Sequence, residues 1–156
     1  MSSEIVVLLG DVRIESQALD SLVEEFGWSL KKVQDVHGLA QPNFDNNLIA
    51  VLFDPKSLSL PWDRALRVIL EAAPRALPIL FHRFAEAIDW PQVADAGAFH
   101  SLQLPLNQCE ARQTLGFVWS ARRRSTAVSM ACHPDLEPAD SRQTQQFGAR
   151  VARAAA

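Results

Sequence analysis

The residues best placed to do chemistry fall where apolar runs end. Asp11 follows Gly10 behind the run Ile5 to Leu9, and Asp54 follows Leu48 to Phe53. His82 follows Leu77 to Phe81, and Leu104 precedes Pro105 at the end of Phe99 to Leu104. Carboxylates can hold a cation and an imidazole can carry a proton or a ligand. Each also has a plainer reading: a solvated turn residue for either aspartate, a hydrogen-bonded structural residue for His82. His37, His100 and His133 are scattered without metal-ligand spacing, so no metal is expected. Cys109 and Cys132 form neither a CxxC pair nor a Cys/His cluster and are read as reduced thiols of a cytosolic protein. No GxSxG, HExxH, GxGxxG or GxxxxGKS/T stretch occurs. No catalytic residue, cofactor or enzymatic activity is therefore expected.

The elements that must position these residues follow from periodicity. Ile5 to Leu9, Leu48 to Phe53 and Leu77 to Phe81 are short unbroken apolar runs closed by turn residues, the pattern of strands buried on both faces. Trp28 to Val36 alternates weakly and predicts a strand nearer an edge; Phe99 to Leu104 predicts a last short strand. Ile14, Leu19, Leu22, Val23 and Phe26 share a helical face that ends at Gly27. A second helix opens at Pro61, a partly helical stretch covers Ala85 to Ala96, and a last helix runs from about Asn107 to Arg123. His37 to Asn46 is loop with room for a helical turn. Strands alternating with helices at this spacing predict an α/β domain with a doubly wound parallel sheet, flavodoxin-like in topology and helix-covered on both faces. In such a sheet ligands sit at the carboxyl ends of the strands, where Asp11, Asp54, His82 and Leu104 lie.

The 156 residues suit one domain, expected over 1–124, with 125–156 a linker or mobile tail. The net charge of −3 gives no general field for nucleic acid or an acidic membrane, so direct contact with either is not expected. The opening Met1 to Glu4 has no basic stretch and no apolar run approaches a membrane span, so neither signal peptide nor span is expected. Arg122 to Arg124 is read as a favourable ending of the last helix.

The strand order, the acid after the third strand and the segment Ala96 to Pro105 (AGAFHSLQLP) resemble response-regulator receiver domains over about residues 4–123. The resemblance implies two acids after the first strand holding Mg²⁺ and a phosphoacceptor Asp after the third. It also implies a Ser or Thr after the fourth strand and a Lys before a Pro after the fifth. This sequence departs from that set. Gly10 and Asp11 leave one acid, Leu104 stands for the Lys, and His82 or Arg83 stands for the Ser or Thr. Counting from Asn47, the acceptor position falls at Leu52 or Phe53, so Asp54 is expected one or two residues late. A narrower likeness in Ala76 to Leu80, Asp89-Trp90-Pro91 and Leu102 to Pro105 is to the N-terminal domain of FleQ-type flagellar regulators. Those are NtrC-like, sigma-54-dependent activators that continue into an ATPase and a helix-turn-helix domain. The resemblance implies a receiver-like domain that is not phosphorylated, works in the cytoplasm, forms a homodimer, and serves output domains or a regulatory protein partner. Trp90, Phe99 and Trp119 are the expected dimer or partner surface, with Trp90 the exposed anchor. A phosphorylatable receiver with an atypical pocket, and a small-molecule-binding flavodoxin-like module, are the other readings.

Overall fold

A computed structural model of the chain describes residues 3–11, 16–44, 46–83 and 88–131. Its strands are β1 (Ile5–Leu9), β2 (Ser29–Val33), β3 (Leu48–Phe53), β4 (Leu77–Arg83) and β5 (His100–Leu104), and its α-helices are α1 (Ser16–Glu25), α2 (Trp62–Ala72), α3 (Trp90–Asp95) and α4 (Gln108–Ala131). The five strands form one parallel sheet in the order β2-β1-β3-β4-β5. This is the doubly wound, flavodoxin-like arrangement that the alternation of apolar runs predicts.

The pleat divides the core in two. Val6 and Leu8 of β1 pack with Leu19 and Leu22 of α1 and with Ala111, Leu115 and Val118 of α4. Val7 and Leu9 point the other way, towards Leu66 and Ile69 of α2 and Val93 of α3. All six residues of β3 are buried, as a central parallel strand requires. Thr114, buried in the first layer, donates its hydroxyl to the carbonyl of Glu110 at 2.9 Å and so brings no unmet polar group into it.

Caps set where the helices begin. Asn107 Oδ1 accepts from the amides of Cys109 (2.9 Å) and Glu110 (3.3 Å) to open α4. Asp89 Oδ1 accepts from Gln92 N at 3.4 Å to open α3, with Pro91 in the first turn. Asp35 Oδ1 accepts from Gly38 N at 3.1 Å and starts a 3-10 turn at Val36–Ala40, followed by another at Pro42–Phe44. The helical turn expected between His37 and Asn46 is thus present.

Three boundaries differ from expectation. β2 is shorter than Trp28 to Val36: the Trp28 ring turns into the core and stacks on Phe26 with centroids 4.9 Å apart. β4 continues past Phe81 through His82 and Arg83, which pair with Gln103 and Leu104 of β5. α4 does not stop at Arg123. No glycine or proline intervenes between Gly116 and Pro134, and the helix runs on to Ala131. Arg122 to Arg124 therefore lie inside a helix and do not form its charged ending, contrary to expectation. The described residues up to Arg123 form one compact unit, and the rest of α4, from Arg124 to Ala131, falls outside it. Ile14, Ala85, Cys132, His133 and most of the expected linker lie outside the described residues.

Between α1 and α4, Arg112 donates to both carboxylate oxygens of Glu25 at 3.0 Å. These hydrogen bonds, with the guanidinium charge, hold Glu25 below the ordinary carboxylate range and raise Arg112 in turn. A carboxyl lowered by folding stabilises the native state fully above its unfolded value, and that contribution fades as pH falls through the lowered one. Glu25→Gln is expected to lower the urea midpoint slightly near neutrality and not at all in strongly acid solution. A deficit of equal size at both ends would contradict the pairing.

Candidate functional site

The carboxyl edge of the sheet carries the candidate residues. β1 ends in Gly10, which takes a φ of +96° that favours glycine and donates its amide to Val33 O at 2.9 Å. A Cβ at this position would run into the Ser57 hydroxyl. β3 ends at Phe53, and its pairing with Leu9 brings Asp54 to the same edge as Gly10. Asp54 is therefore the first residue past the strand, on the rim, one residue after Phe53 and two after Leu52.

Asp54 is only 3% exposed. Its backbone oxygen accepts from Ser57 Oγ at 2.9 Å and from the amides of Ser57 and Leu58, so the chain turns tightly beneath it. Its Oδ1 accepts from Lys56 N at 3.1 Å. The carboxylate faces the Arg83 guanidinium, with Nη2 to Oδ2 at 2.9 Å and Nη1 to Oδ1 at 3.5 Å. This forked, charge-assisted contact joins the ends of two adjacent strands. The Arg83 side chain is 44% exposed, so one partner is buried and the other reaches solvent.

The other expected residues stand apart from this pair. Leu104 is buried in the α1/α4 layer and joined to Pro105 by a cis peptide bond. It pairs with Arg83 in the sheet, so a cation is present at this edge but on β4, not on β5. His82 is half-buried on β4 opposite Gln103. Asp11 is exposed and lines a shallow cavity of about 220 Å³ with Gly10, Ser16, Lys32 and Gln34, a cavity that Asp54 does not line. Among the described residues no group of three or more His, Cys, Asp and Glu could hold a metal ion. A divalent cation does not fit at Asp54: the neighbouring position is Gly10, and the carboxylate already holds a guanidinium. Arg83 is the residue that sequence reasoning passed over, having weighed it only as a stand-in for Ser or Thr. The available signal was an arginine closing a strand beside another strand that ends in an acid.

A second feature lies on the flank of β5. Trp90, Phe117 and Trp119 are the exposed large apolar residues among those described. The His100 ring meets Trp90 edge-on at 6.0 Å and Phe117 at 5.9 Å, making a continuous aromatic edge across α3, β5 and α4. Trp119 is not part of it. Two residues along α4 is about 200° of rotation, and its ring instead lies under the Arg123 guanidinium at 4.6 Å. Phe99 packs against the core below, half-buried. Of the expected surface, Trp90 belongs to this edge, Phe99 packs against the core and Trp119 lies on the other flank of α4. Phe117, not expected, takes its place.

No protein-family model and no curated protein matches the sequence. The fold does match solved structures of response-regulator receiver domains. A CheY-like receiver from Methanospirillum hungatei superposes with a TM-score of 0.63 at 17% identity, covering 80% of this chain and 99% of that one. The signal receiver domain assigned to a Luxo repressor protein from Vibrio parahaemolyticus gives 0.67 at 13% identity, covering 81% and 98%. The receiver domain of a sensor histidine kinase from Pseudomonas aeruginosa, solved with magnesium coordinated in its active-site cleft, gives 0.55 at 21% identity, covering 73% and 95%. At these identities the likeness establishes the fold.

Proposed function

We propose that this chain is a receiver-like regulatory module that works without phosphoryl transfer and without enzymatic activity, as the N-terminal domain of a FleQ-type, sigma-54-dependent transcription regulator. The observation that carries the reading is the Arg83–Asp54 pair. Phosphoryl transfer to a carboxylate needs a free nucleophile, a metal and a cation poised for the incoming charge. Here the carboxylate is buried against a guanidinium, Gly10 stands beside it where a second acid is needed, and the β5 position holds Leu104. Incubation with acetyl phosphate and Mg²⁺, or with beryllofluoride and Mg²⁺, is expected to leave the intact mass and the tryptophan fluorescence unchanged. One stoichiometric adduct at Asp54 would instead favour a phosphorylatable receiver with an atypical pocket, a reading supported by the place of Asp54 at the end of β3.

A module without that input acts through contacts. The Trp90–His100–Phe117 edge supplies an apolar anchor of the kind that dominates interfaces, and it supports a homodimer or docking to output domains. Trp90→Ala and Phe117→Ala are each expected to weaken self-association about tenfold or more in sedimentation, with Trp119→Ala nearly neutral. Equal dissociation constants for all three variants and the wild type would place the interface elsewhere. No helix among the described residues is long and apolar enough to cross a membrane.

A further inference from the structure

Four crossovers link the five strands, and among the described residues three of them carry an α-helix; the β2–β3 crossover carries two 3-10 turns. The turn Val36–Ala40 has five residues and spans about 10 Å, whereas α2 beside it has eleven and spans about 16 Å. The short turn covers only part of the flank of α2. Between them a groove of about 490 Å³ opens, floored by Val36, Leu58, Leu60, Val68 and Ala72. These side chains are half-buried, so they form a built surface and not a loose crevice.

The charges around the groove are one-sided. Asp35 rises on the 3-10 wall and Glu71 on the α2 wall, His37 lines the groove without adding negative charge, and among the described residues no lysine or arginine lines it. Arg64, one turn before Val68 on α2, lies outside the lining. Asp35 spends one oxygen on the Gly38 amide and stays exposed. We propose that this groove docks an amphipathic helix of a protein partner whose apolar stripe is flanked by lysines or arginines. The apolar floor takes anchors spaced i, i+3 or i+4 and i+7 along that helix. The carboxylates on opposite walls meet its flanking cations, setting orientation and rejecting acidic helices. This surface is separate from the Arg83–Asp54 pair and from the aromatic edge, and its occupancy does not depend on the chemistry of Asp54.

The test uses the full chain and two labelled model helices of about 15 residues, with leucines at i, i+3, i+4 and i+7 and either lysines or glutamates elsewhere. Fluorescence anisotropy gives affinity, and methyl NMR shifts locate the contact. The lysine helix is expected to bind and to move the methyls of Val36, Leu58, Leu60 and Val68, with the glutamate helix at least about tenfold weaker. Glu71→Lys, at an exposed position, is expected to weaken the lysine helix about tenfold while leaving the thermal midpoint in place. Four results overturn the proposal. They are equal binding of both helices, no effect of Glu71→Lys, shifts confined to the Trp90–Phe117 edge, and groove methyls already covered in the free chain. In the last case, shifts that follow protein concentration give the groove to a second copy, and concentration-independent contacts to another segment of the chain give it to the chain itself.

Discussion

Arg83→Ala is expected to destabilise the domain by about 2–3 kcal/mol, or roughly 10 °C in Tm. The loss comes from what stays behind. The Asp54 side chain is 4% exposed, and among the described residues what its charge keeps without the guanidinium is neighbouring dipoles such as the Lys56 amide. The figure lies below that of a fully buried pair because Arg83 is 44% exposed and solvent already screens its side of the contact. Arg83→Lys is expected to recover part of the loss, since an ammonium supplies the charge but not the planar fork. Replacing both residues by leucine is expected to cost less than Arg83→Ala alone, because no charge is then left without a partner. Urea unfolding of the four proteins measures this. If Arg83→Ala costs under about 0.5 kcal/mol, the pair is a surface contact and the idea of a built-in cation fails.

Gly10→Asp, the substitution that would restore a second acid to the end of β1, is expected to cost about 2–4 kcal/mol and to gain no affinity for Mg²⁺. Two independent obstacles stand in its way. The backbone holds φ at +96°, where a residue with a Cβ is strained, and the Cβ would meet the Ser57 hydroxyl. Adding Ser57→Gly should recover the collision but not the backbone strain, so the double variant is expected to fall between Gly10→Asp and the wild type. Denaturant midpoints report the stability, and Mg²⁺ titration followed by tryptophan fluorescence reports the ion. A Gly10→Asp protein as stable as its parent, with a saturable Mg²⁺ response, would show that this edge is one substitution from a working acidic site.

The parts of this structure that depend on local pattern were open to reading from the residues, and the parts that depend on distant pairing were not. β3 is unmistakable because six apolar residues end at Asp54-Pro55. The cap residues Asp89 and Asn107 and the first-turn Pro91 mark their helices at short range. β4 was underestimated because its last two residues, His82 and Arg83, are polar. Only their pairing to Gln103 and Leu104 makes them strand. The Arg83–Asp54 contact joins residues 29 apart, and its signal, an arginine and an acid closing two strands, reads only once those strands are known to be neighbours. Grouping Trp119 with Trp90 overlooked a fact that was available: once 117–119 is helical, residues 117 and 119 point nearly opposite ways. The length of α4 was missed for a different reason. A polar stretch without breakers can stay helical, although its loss of apolar periodicity looks like a linker.

A carboxylate that depends on a dissolved ion follows an isotherm, and its state reports how much of that ion is present. The counter-ion of Asp54 is tethered to the same backbone, so its effective concentration is set by geometry and cannot be diluted or chelated away. A ligand shifts an equilibrium only through its differential affinity for the two states, and a ligand that never leaves shifts it once, at folding. On the proposed reading the Asp54 carboxylate then carries its counter-ion as a fixed part of the fold. On that reading, what can still vary is the abundance of whatever meets the outer surfaces of the domain, and its response follows mass action among macromolecules in place of phosphate chemistry.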